Sequence, residues 1–325
     1  MEDVGLFREY EDAAVDPIPG TNPPLSLVRN LDVFTPLVDD PFITGQITAC
    51  NVTNDIFAAN CREVTGFLVF LGVPLEMPPD VPRGILRGIK AFARKIGTRV
   101  SGGHTIHSGW PLVGGEACGI EETSKLVPKN RGVRPGDVLL LTKPLGTQPA
   151  MAAERVRTNV AQSSAGILDD VPADLVDAAV RHAFELMTAS LKPVVEAVHA
   201  LDDWSGLHGT TDVTGFGLVG TVEEVLEGTG LFARLDQVPV IEGTPEIAEA
   251  LGYPLEEARS AETAGPMLLV VSPDAVGAVV EQCEIKGVRT WRVGRVEGPP
   301  SDQLAGKCVL DDDARVLRVS RRESR

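Results

Sequence analysis

Residues 31–60 read LDVFTPLVDDPFITGQITACNVTNDIFAAN, and the interpretation of the whole chain starts from this stretch. The apolar run 25–34, which overlaps its beginning, predicts a strand with Asp32 near its end. A short turn follows, and the spacing of apolar residues over 43–60 then predicts a helix. The stretch is therefore a strand–turn–helix unit that carries polar side chains in an apolar setting.

Several of these polar side chains point to a ligand. In the predicted helix Asn51, Asn54 and Asp55 are spaced by three and four residues, so they share one side. Buried polar groups carry a desolvation cost unless something binds them, and Mg²⁺ with nucleotide phosphates would do so. The alternative is structural: Asp39 and Asp40 would form a solvated turn, and Asp55 would cap a neighbouring segment.

Composition bounds the possible functions. A chain of 325 residues with 43% hydrophobic and 23% charged residues is typical of a soluble two-domain protein. Its net charge of −16 argues against nucleic-acid binding, which needs a basic patch. The sequence contains no apolar run long enough for a membrane span, and its acidic first residues do not resemble a signal peptide. The five cysteines show no metal-ligand spacing, so we expect reduced thiols and a cytoplasmic protein.

The order of the elements predicts two α/β halves. The first half has strands at 25–34, 65–72, about 98–101 and 111–120, with helices at 43–60 and 78–97. The polar, proline-bearing segment 121–135 predicts the boundary, which gives domains 1–130 and 131–325. In the second half, strands are predicted at 136–142, 231–235, 267–272 and 289–297, and helices at 148–158, 172–200, 218–228 and 273–286. Residues 1–24 are interpreted as a connection and 311–325 as a solvated tail.

Three further motifs contain groups that suit phosphate or metal chemistry. Gly102 and Gly103 are predicted to form a loop between two strands, where the backbone can approach a phosphate closely, although an ordinary tight turn explains the pair equally well. Asp212 lies in the hydroxyl-rich run 210–214, which is interpreted as a turn before a helix. Its structural alternative to a ligand role is that of N-cap for that helix. Lys143 in the TKPLG run is open between a structural role and a phosphate contact.

Taken together, these motifs resemble the selenophosphate synthetase (selenide, water dikinase) family, within the aminoimidazole-ribonucleotide-synthetase-like group of ATP enzymes. FTPLVDDP (34–41) and NVTND (51–55) are similar to that family's TPIVDDP and N-x-x-S-D, and EDAAV (11–15) to its D-D-A-A-V. SGGHT (101–105), LTKPLG (141–146) and TTDVTGFG (210–217) agree in the same order. The resemblance covers residues 12 to 297.

The resemblance implies a two-domain fold, mixed sheets with helices packed on one face, and an Mg-ATP site in the cleft between the domains. It implies metal ligands at Asp12, Asp55 and Asp212. It implies nucleotide contacts from seven residues, which are Asp12, Asp32, Asp55, Gly102, Gly103, His104 and Thr105. The implied reaction converts selenide, ATP and water to selenophosphate, AMP and phosphate. No residue of this chain is assigned as catalytic.

The sequence departs from the family pattern in two places. The family carries a glycine-rich arm with a cysteine or selenocysteine and a lysine, whereas the first cysteine here is Cys50 and the first lysine Lys90, so we expect the arm to be absent. The run SAETAGP (260–266) replaces a P-x-T-S-G-G segment, and Pro266 removes a backbone donor. An alternative function is therefore a nucleotide-binding paralogue without selenium chemistry, acting as a slow ATPase or a regulatory partner. We expect ATP binding with weak or absent selenide-dependent AMP formation.

We also expect a homodimer formed through the first half. Strands 25–34 and 111–120 are apolar at nearly every position, a pattern that suits burial on both faces of a sheet. Members of the resembling family dimerise through this half.

Overall fold

The structure, a computed structural model, describes residues 12–158 and 166–324. Its strands are β1 (Ala14–Ile18), β2 (Leu25–Phe34), β3 (Val64–Val73), β4 (Val100–His107), β5 (Leu112–Glu122), β6 (Val138–Leu141), β7 (Leu207–Asp212), β8 (Phe232–Ile241), β9 (Met267–Val271), β10 (Trp291–Glu297) and β11 (Cys308–Val319). Its α-helices are α1 (Pro41–Ala58), α2 (Asp80–Lys95), α3 (Thr147–Thr158), α4 (Ala173–Met187), α5 (Lys192–His199), α6 (Gly217–Leu226), α7 (Thr244–Leu251) and α8 (Val276–Ile285).

The first sheet has the order β1-β2-β5-β3-β4, in which only β3 and β4 run parallel. Strands β2 and β3 alternate between more buried and more exposed residues, because α1 and α2 cover one face. The other face carries large apolar side chains in contact with solvent, namely Leu31, Val33, Leu68 and Ile106. We call this surface the open face of the first sheet. The predicted mixed sheet with helices on one face is therefore confirmed for this half.

Helices α1 and α2 pack backbone to backbone through two glycines. A Cβ atom at Gly45 would lie 2.0 Å from the carbonyl oxygen of Ile85, and one at Gly88 would lie 2.0 Å from the carbonyl oxygen of Phe42. No real Cβ tolerates such a distance, so only glycine permits this approach. The close packing places α1 deep in the molecule, where it also contacts α4, α5 and β7 of the second half.

The second sheet has the order β11-β8-β10-β6-β9-β7 and is mixed, because β11 pairs in parallel with β8 and its other described pairs are antiparallel. All four residues of β6 are buried, which matches the continuous apolar run in the sequence. Leu139 and Leu141 belong to a core cluster with α6, whereas Val138 and Leu140 join the cluster that contains α4 and α5. Both faces of this sheet are thus covered.

Between the two sheets the chain runs from Glu122 to Val138 through a short 3-10 helix and an irregular segment. The division into domains at about residue 130 stays a prediction that this change of sheet supports. One continuous apolar cluster joins the two halves around α1, including Ile47 from the first half and Val194 from the second.

Several expectations about local structure were wrong. Residues 14–18 form β1, which pairs antiparallel with β2, although the segment 1–24 was expected only to connect. The tail at 311–325 was expected to be solvated, yet most of it belongs to β11, which pairs with β8 and forms a 2.7 Å ion pair between Arg234 and Asp311. The charged side chains of β11 suit its position at the edge of the second sheet, where they discourage pairing with other chains. Helix α7 and strand β7 were not predicted, and the segment 172–200, predicted as helical, is divided into α4 and α5.

Candidate functional site

Four carboxyl groups, distant in sequence, come together where the two halves meet. Asp32 lies near the end of β2, Asp55 in the last turn of α1, and Asp212 at the end of β7, while Asp12 precedes β1. The Asp55 carboxyl group forms side-chain hydrogen bonds with both Asp32 and Asp212. We call these four residues the carboxyl cluster. Their convergence follows from the packing of α1 between the first sheet and β7.

The electrostatics of the carboxyl cluster favour protonation of at least one member. Burial, together with the charges of Asp12 and Asp32, raises the pKa of Asp212 to about 7. Burial first, and then the neighbouring carboxylates, raise the pKa of Asp55 well above its ordinary value. Burial also raises the pKa of Asp12, although Lys129 opposes this shift. A cation placed among these groups would relieve their repulsion, and that property makes the cluster a candidate binding site.

A lysine that the sequence analysis missed contacts the carboxyl cluster. Lys129 comes from the segment between the two sheets, and its Nζ lies 2.9 Å from Asp12 Oδ1 and 3.2 Å from Glu224 Oε2. Nothing in the local sequence distinguishes this lysine, since the segment 121–135 was interpreted only as a boundary. Its importance comes from the fold, which brings the start of the chain and α6 to the same point.

Asp32 is held in place by two amide side chains. Asn30 Nδ2 donates to Asp32 Oδ2 at 3.2 Å, and Asn51 Nδ2 donates to the same oxygen at 3.0 Å. Asn51 Oδ1 in turn accepts from the backbone N–H of Ala264 at 2.8 Å. Asn54, which was expected to share the ligand-facing side, is fully buried, and its Nδ2 has no partner among the described residues. Asn51 and Asp55 therefore serve the cluster, whereas Asn54 contacts Cys50 weakly.

The cluster does not form a complete metal cage. Over residues 12–158 and 166–324, no group of three or more His, Cys, Asp or Glu side chains is arranged to hold a metal ion. Asp12 is engaged by Lys129, which leaves Asp55 and Asp212, whose carboxyl groups are hydrogen-bonded to each other, as the remaining two of the three implied metal ligands. This donor set still fits magnesium, which proteins usually bind through one or two carboxylates while nucleotide phosphates and water supply the remaining oxygens.

Two local interpretations from the sequence are corrected here. Residues 210–212 form the end of β7 instead of a turn, and Asp212 does not cap the next helix, whose N-cap Phe216 makes no side-chain cap bond. The expected solvated turn is confirmed for Asp40, which is exposed and also caps α1 by accepting from the N–H groups of Phe42 and Ile43 at 2.7 and 3.0 Å. Asp39 next to it is exposed.

The glycine pair lies away from the carboxyl cluster. Gly102, Gly103, His104 and Thr105 belong to the exposed edge strand β4, so the predicted loop between two strands is wrong. Glycine is required at 103 because a Cβ there would lie 2.2 Å from the carbonyl oxygen of Val69 on β3. In the sheet order β4 is three strands away from β2, which separates these residues from Asp32 by about 14 Å. The chain by itself does not bring them into contact with the cluster.

Of the two roles left open for Lys143, a structural role and a phosphate contact, its hydrogen bonds support the structural one. It is buried, and its Nζ donates to the backbone carbonyl oxygens of Leu186, Ala189 and Ala264 at 3.0, 2.7 and 2.9 Å. An ammonium group has three N–H donors, so these bonds use all of them. Lys143 has none left for a phosphate.

The chain is similar to curated proteins over most of its length. It is 38% identical to selenide, water dikinase of Methanococcus maripaludis over 298 residues, covering 91% of this chain and 86% of that protein. It is 35% identical to selenide, water dikinase of Methanocaldococcus jannaschii, covering 91% of this chain and 82% of the relative.

Solved structures share the fold at lower identity. The HypE–HypF complex gives a TM-score of 0.71 at 18% identity, covering 95% of this chain and 92% of the solved chain. The hydrogenase maturation protein HypE in complex with ATP gives a TM-score of 0.67 at 19% identity, covering 95% and 87%. Two family profiles also match: "AIR synthase related protein, N-terminal domain" over residues 10–120, and "AIR synthase related protein, C-terminal domain" over residues 134–307. The chain therefore belongs to the selenide, water dikinase family of AIR synthase related proteins.

Proposed function

We propose that this protein is a selenide, water dikinase that binds Mg-ATP at the carboxyl cluster and transfers the γ-phosphoryl group of ATP to selenide, after which water hydrolyses the remaining ADP to AMP and phosphate. The single observation that carries the site is the convergence of Asp32, Asp55 and Asp212 from both halves, with pKa values of Asp55 and Asp212 raised by burial and by their neighbours. The activity follows from membership of the family, and the neighbouring fold of HypE was solved with ATP.

Each residue of the proposed site has a distinct task. Asp55 and Asp212 would hold magnesium, and Asp12 would join them after giving up its ion pair with Lys129. Bound magnesium neutralises charge on the phosphates of ATP. Asp32, oriented by Asn51, accepts hydrogen bonds from its two amide neighbours and faces the nucleotide. Because burial and the neighbouring carboxylates raise the pKa of Asp55, binding of a cation is expected to lower this pKa and to favour release of protons.

The test is calorimetric titration of ATP with and without Mg²⁺. Asp55→Asn keeps the shape of the neutral acid but cannot become a carboxylate, so Mg-dependent ATP affinity should fall by about tenfold or more, or about 1.4 kcal/mol. Asp39→Asn is the matched control, because Asp39 is exposed in the turn before α1, and its affinity should stay near that of the wild type.

Equal losses in the two variants would mean that both carboxylates act only through the fold. An intact protein that binds no ATP would remove the proposal altogether. ATP binding without selenide-dependent AMP formation would favour the alternative of a nucleotide-binding paralogue that acts as a slow ATPase or a regulatory partner.

We extend the proposal to a homodimer formed through the open face of the first sheet. Leu31 is 68% exposed, and Val33, Leu68 and Ile106 are 39–43% exposed on the same face. Large apolar side chains exposed on one face of a sheet favour an interaction surface. In a dimer, residues 102–105 of a second copy could approach the nucleotide, and this arrangement would reconcile their distance from Asp32 with their proposed role.

The proposal also keeps the cytoplasm as the working compartment. All five cysteines are free thiols, and disulfide-free chains are typical of a reducing environment. In the described part of the chain, no helix has both the length and the apolar character that a bilayer crossing requires.

A further inference from the structure

Lys143 lies directly after β6, and its chemical environment is unusual for a lysine. The side chain is 6% exposed and contacts backbone carbonyl oxygens from two segments, one at the end of α4 and the other at Ala264. Burying an ammonium group costs free energy, and a methionine would fill the same space without that cost. A lysine here therefore has a use beyond filling space, and its bond to Ala264 indicates what that use is.

Ala264 belongs to the loop 260–266, the run in which the sequence departs from the family pattern. The loop is held from several sides: Gln148 Oε1 accepts from Ser260 Oγ and from the backbone N–H of Ala261, both at 2.9 Å. Ala264 itself has φ of +46°, a conformation that residues other than glycine rarely adopt. A backbone in this region persists only where its surroundings hold it, so the bonds made by Ala264 define its position.

Both backbone polar groups of Ala264 are used, one within the second half and one to connect it to the first half. Its carbonyl oxygen accepts from Lys143 Nζ at 2.9 Å, and its N–H donates to Asn51 Oδ1 at 2.8 Å. Because Oδ1 of Asn51 is occupied as an acceptor, the amide must turn its NH₂ group the other way, toward Asp32 Oδ2 at 3.0 Å. The orientation of Asn51 is thus set from the second half of the chain.

We propose that Lys143 is a positioning residue for the nucleotide site, acting through a line of hydrogen bonds from Lys143 to Ala264, from Ala264 to Asn51, and from Asn51 to Asp32. The line extends from the second half to the first and fixes the orientation of the Asp32 carboxylate in the proposed Mg-ATP site. Lys143 does not touch the nucleotide. The nucleotide part of this inference rests on the proposed function.

The line is tested by a double-mutant cycle on Mg-ATP affinity. Lys143→Met and Asn51→Ala should each weaken binding by about tenfold, and the double variant should lose little more than either single one, because both changes break the same line. Lys95→Met is the control, since exposed Lys95 also donates to a carbonyl oxygen at the end of α4, Thr188, but lies outside the line. Its affinity should not change. Additive losses, or an unchanged affinity of Lys143→Met, would overturn the inference.

A second measurement does not depend on nucleotide. Hydrogen exchange of the Ala264 backbone amide in the free protein should be slow in the wild type and about tenfold faster or more in both Lys143→Met and Asn51→Ala. Unchanged protection in Lys143→Met would contradict the line even if the wild type binds ATP well. A different result is a wild type that binds no ATP while the Ala264 amide still loses protection in both variants. That result would support the line of hydrogen bonds and reject the proposed function. If Lys143→Met does not fold, Lys143→Gln, which keeps two N–H donors, takes its place in both measurements.

Discussion

At the scale of single residues, Glu262 shows how burial and hydrogen bonding compete. Its carboxyl oxygens accept from the backbone N–H of Gly146 at 2.7 Å and of Thr147 at 2.9 Å, at the start of α3. The Thr147 hydroxyl donates at 2.5 Å. These donors lower the pKa of Glu262, but burial outweighs them and raises it to about 7. The carboxyl group anchors one side of the loop 260–266, opposite the anchor that Lys143 provides.

The raised pKa of Glu262 predicts a pH dependence of stability. Between its ordinary pKa of 4.5 and about 7 the folded protein binds more protons than the unfolded chain, so the free energy of unfolding falls as pH rises through this window. The loss is on the order of 3 kcal/mol when complete. Glu262→Gln, which does not titrate, should lack this component. Urea unfolding at pH 4.5, 6 and 8 measures it as the difference between variant and wild type; parallel pH profiles would contradict the assignment.

At the scale of elements, α1 is the part of the structure on which the site depends. It carries Asn51 and Asp55, begins at the cap made by Asp40, and is held against α2 by Gly45 and Gly88. Because α1 is buried on several sides, a small displacement of its axis would move Asp55 relative to Asp212. The glycines of the α1–α2 contact therefore support the site from a distance.

Paired glycine substitutions test this role of the α1–α2 contact. Gly88→Ala places a Cβ 2.0 Å from the carbonyl oxygen of Phe42, so the helices must separate, and a loss of about 1–3 kcal/mol or more in the free energy of unfolding is expected. Gly277→Ala in α8 is the matched control, because nothing lies within 4 Å of its Cβ position and alanine favours helix there. This variant should be neutral or gain up to about 1 kcal/mol. Chemical denaturation of both variants decides; a Gly88→Ala protein as stable as Gly277→Ala would refute the close contact.

At the scale of the whole molecule, the open face of the first sheet has apolar side chains that no part of the described chain covers. Helices cover the opposite face, and in the second sheet both faces are covered, so the open face is the exception among the sheet faces of the described chain. The apolar sequences of strands β2 and β5 predict burial on both sides of the sheet, and a second copy would supply the missing cover. Such a dimer would join two first halves.

A charge introduced on the open face should separate the dimer. Leu31→Glu places a carboxylate at a position that is 68% exposed in the single chain and at the centre of the proposed interface. Light scattering at micromolar concentration should give about twice 34.6 kDa for the wild type and a monomer for the variant. Leu75→Glu is the control: Leu75 is 75% exposed but lies outside the sheet, in the connection between β3 and α2, so the dimer should persist. A monomeric wild type would reject the interface.

The sequence by itself determined much of the local structure. Strands β2 and β3 and helices α1 and α2 were predicted to within a few residues, because apolar periodicity and flanking prolines and glycines act over short distances. The stretch 31–60 also indicated Asp32 and Asp55 as site candidates, and the order of the motifs indicated the family. The local prediction was wrong for the charged strand β11, because pairing with β8 overrides its polar composition.

Only the tertiary structure decided which side chains meet. Lys129 reaches Asp12, and Ala264 reaches Asn51 across more than two hundred residues of sequence, and no local pattern marks either contact. Residues 102–105 were placed on an exposed edge strand instead of beside Asp32. The physical reason is that periodicity reports which face of an element is buried, whereas the partner of that face depends on how the elements pack. The candidate site is built from such partners, so its outline was visible in the sequence and its connections only in the fold.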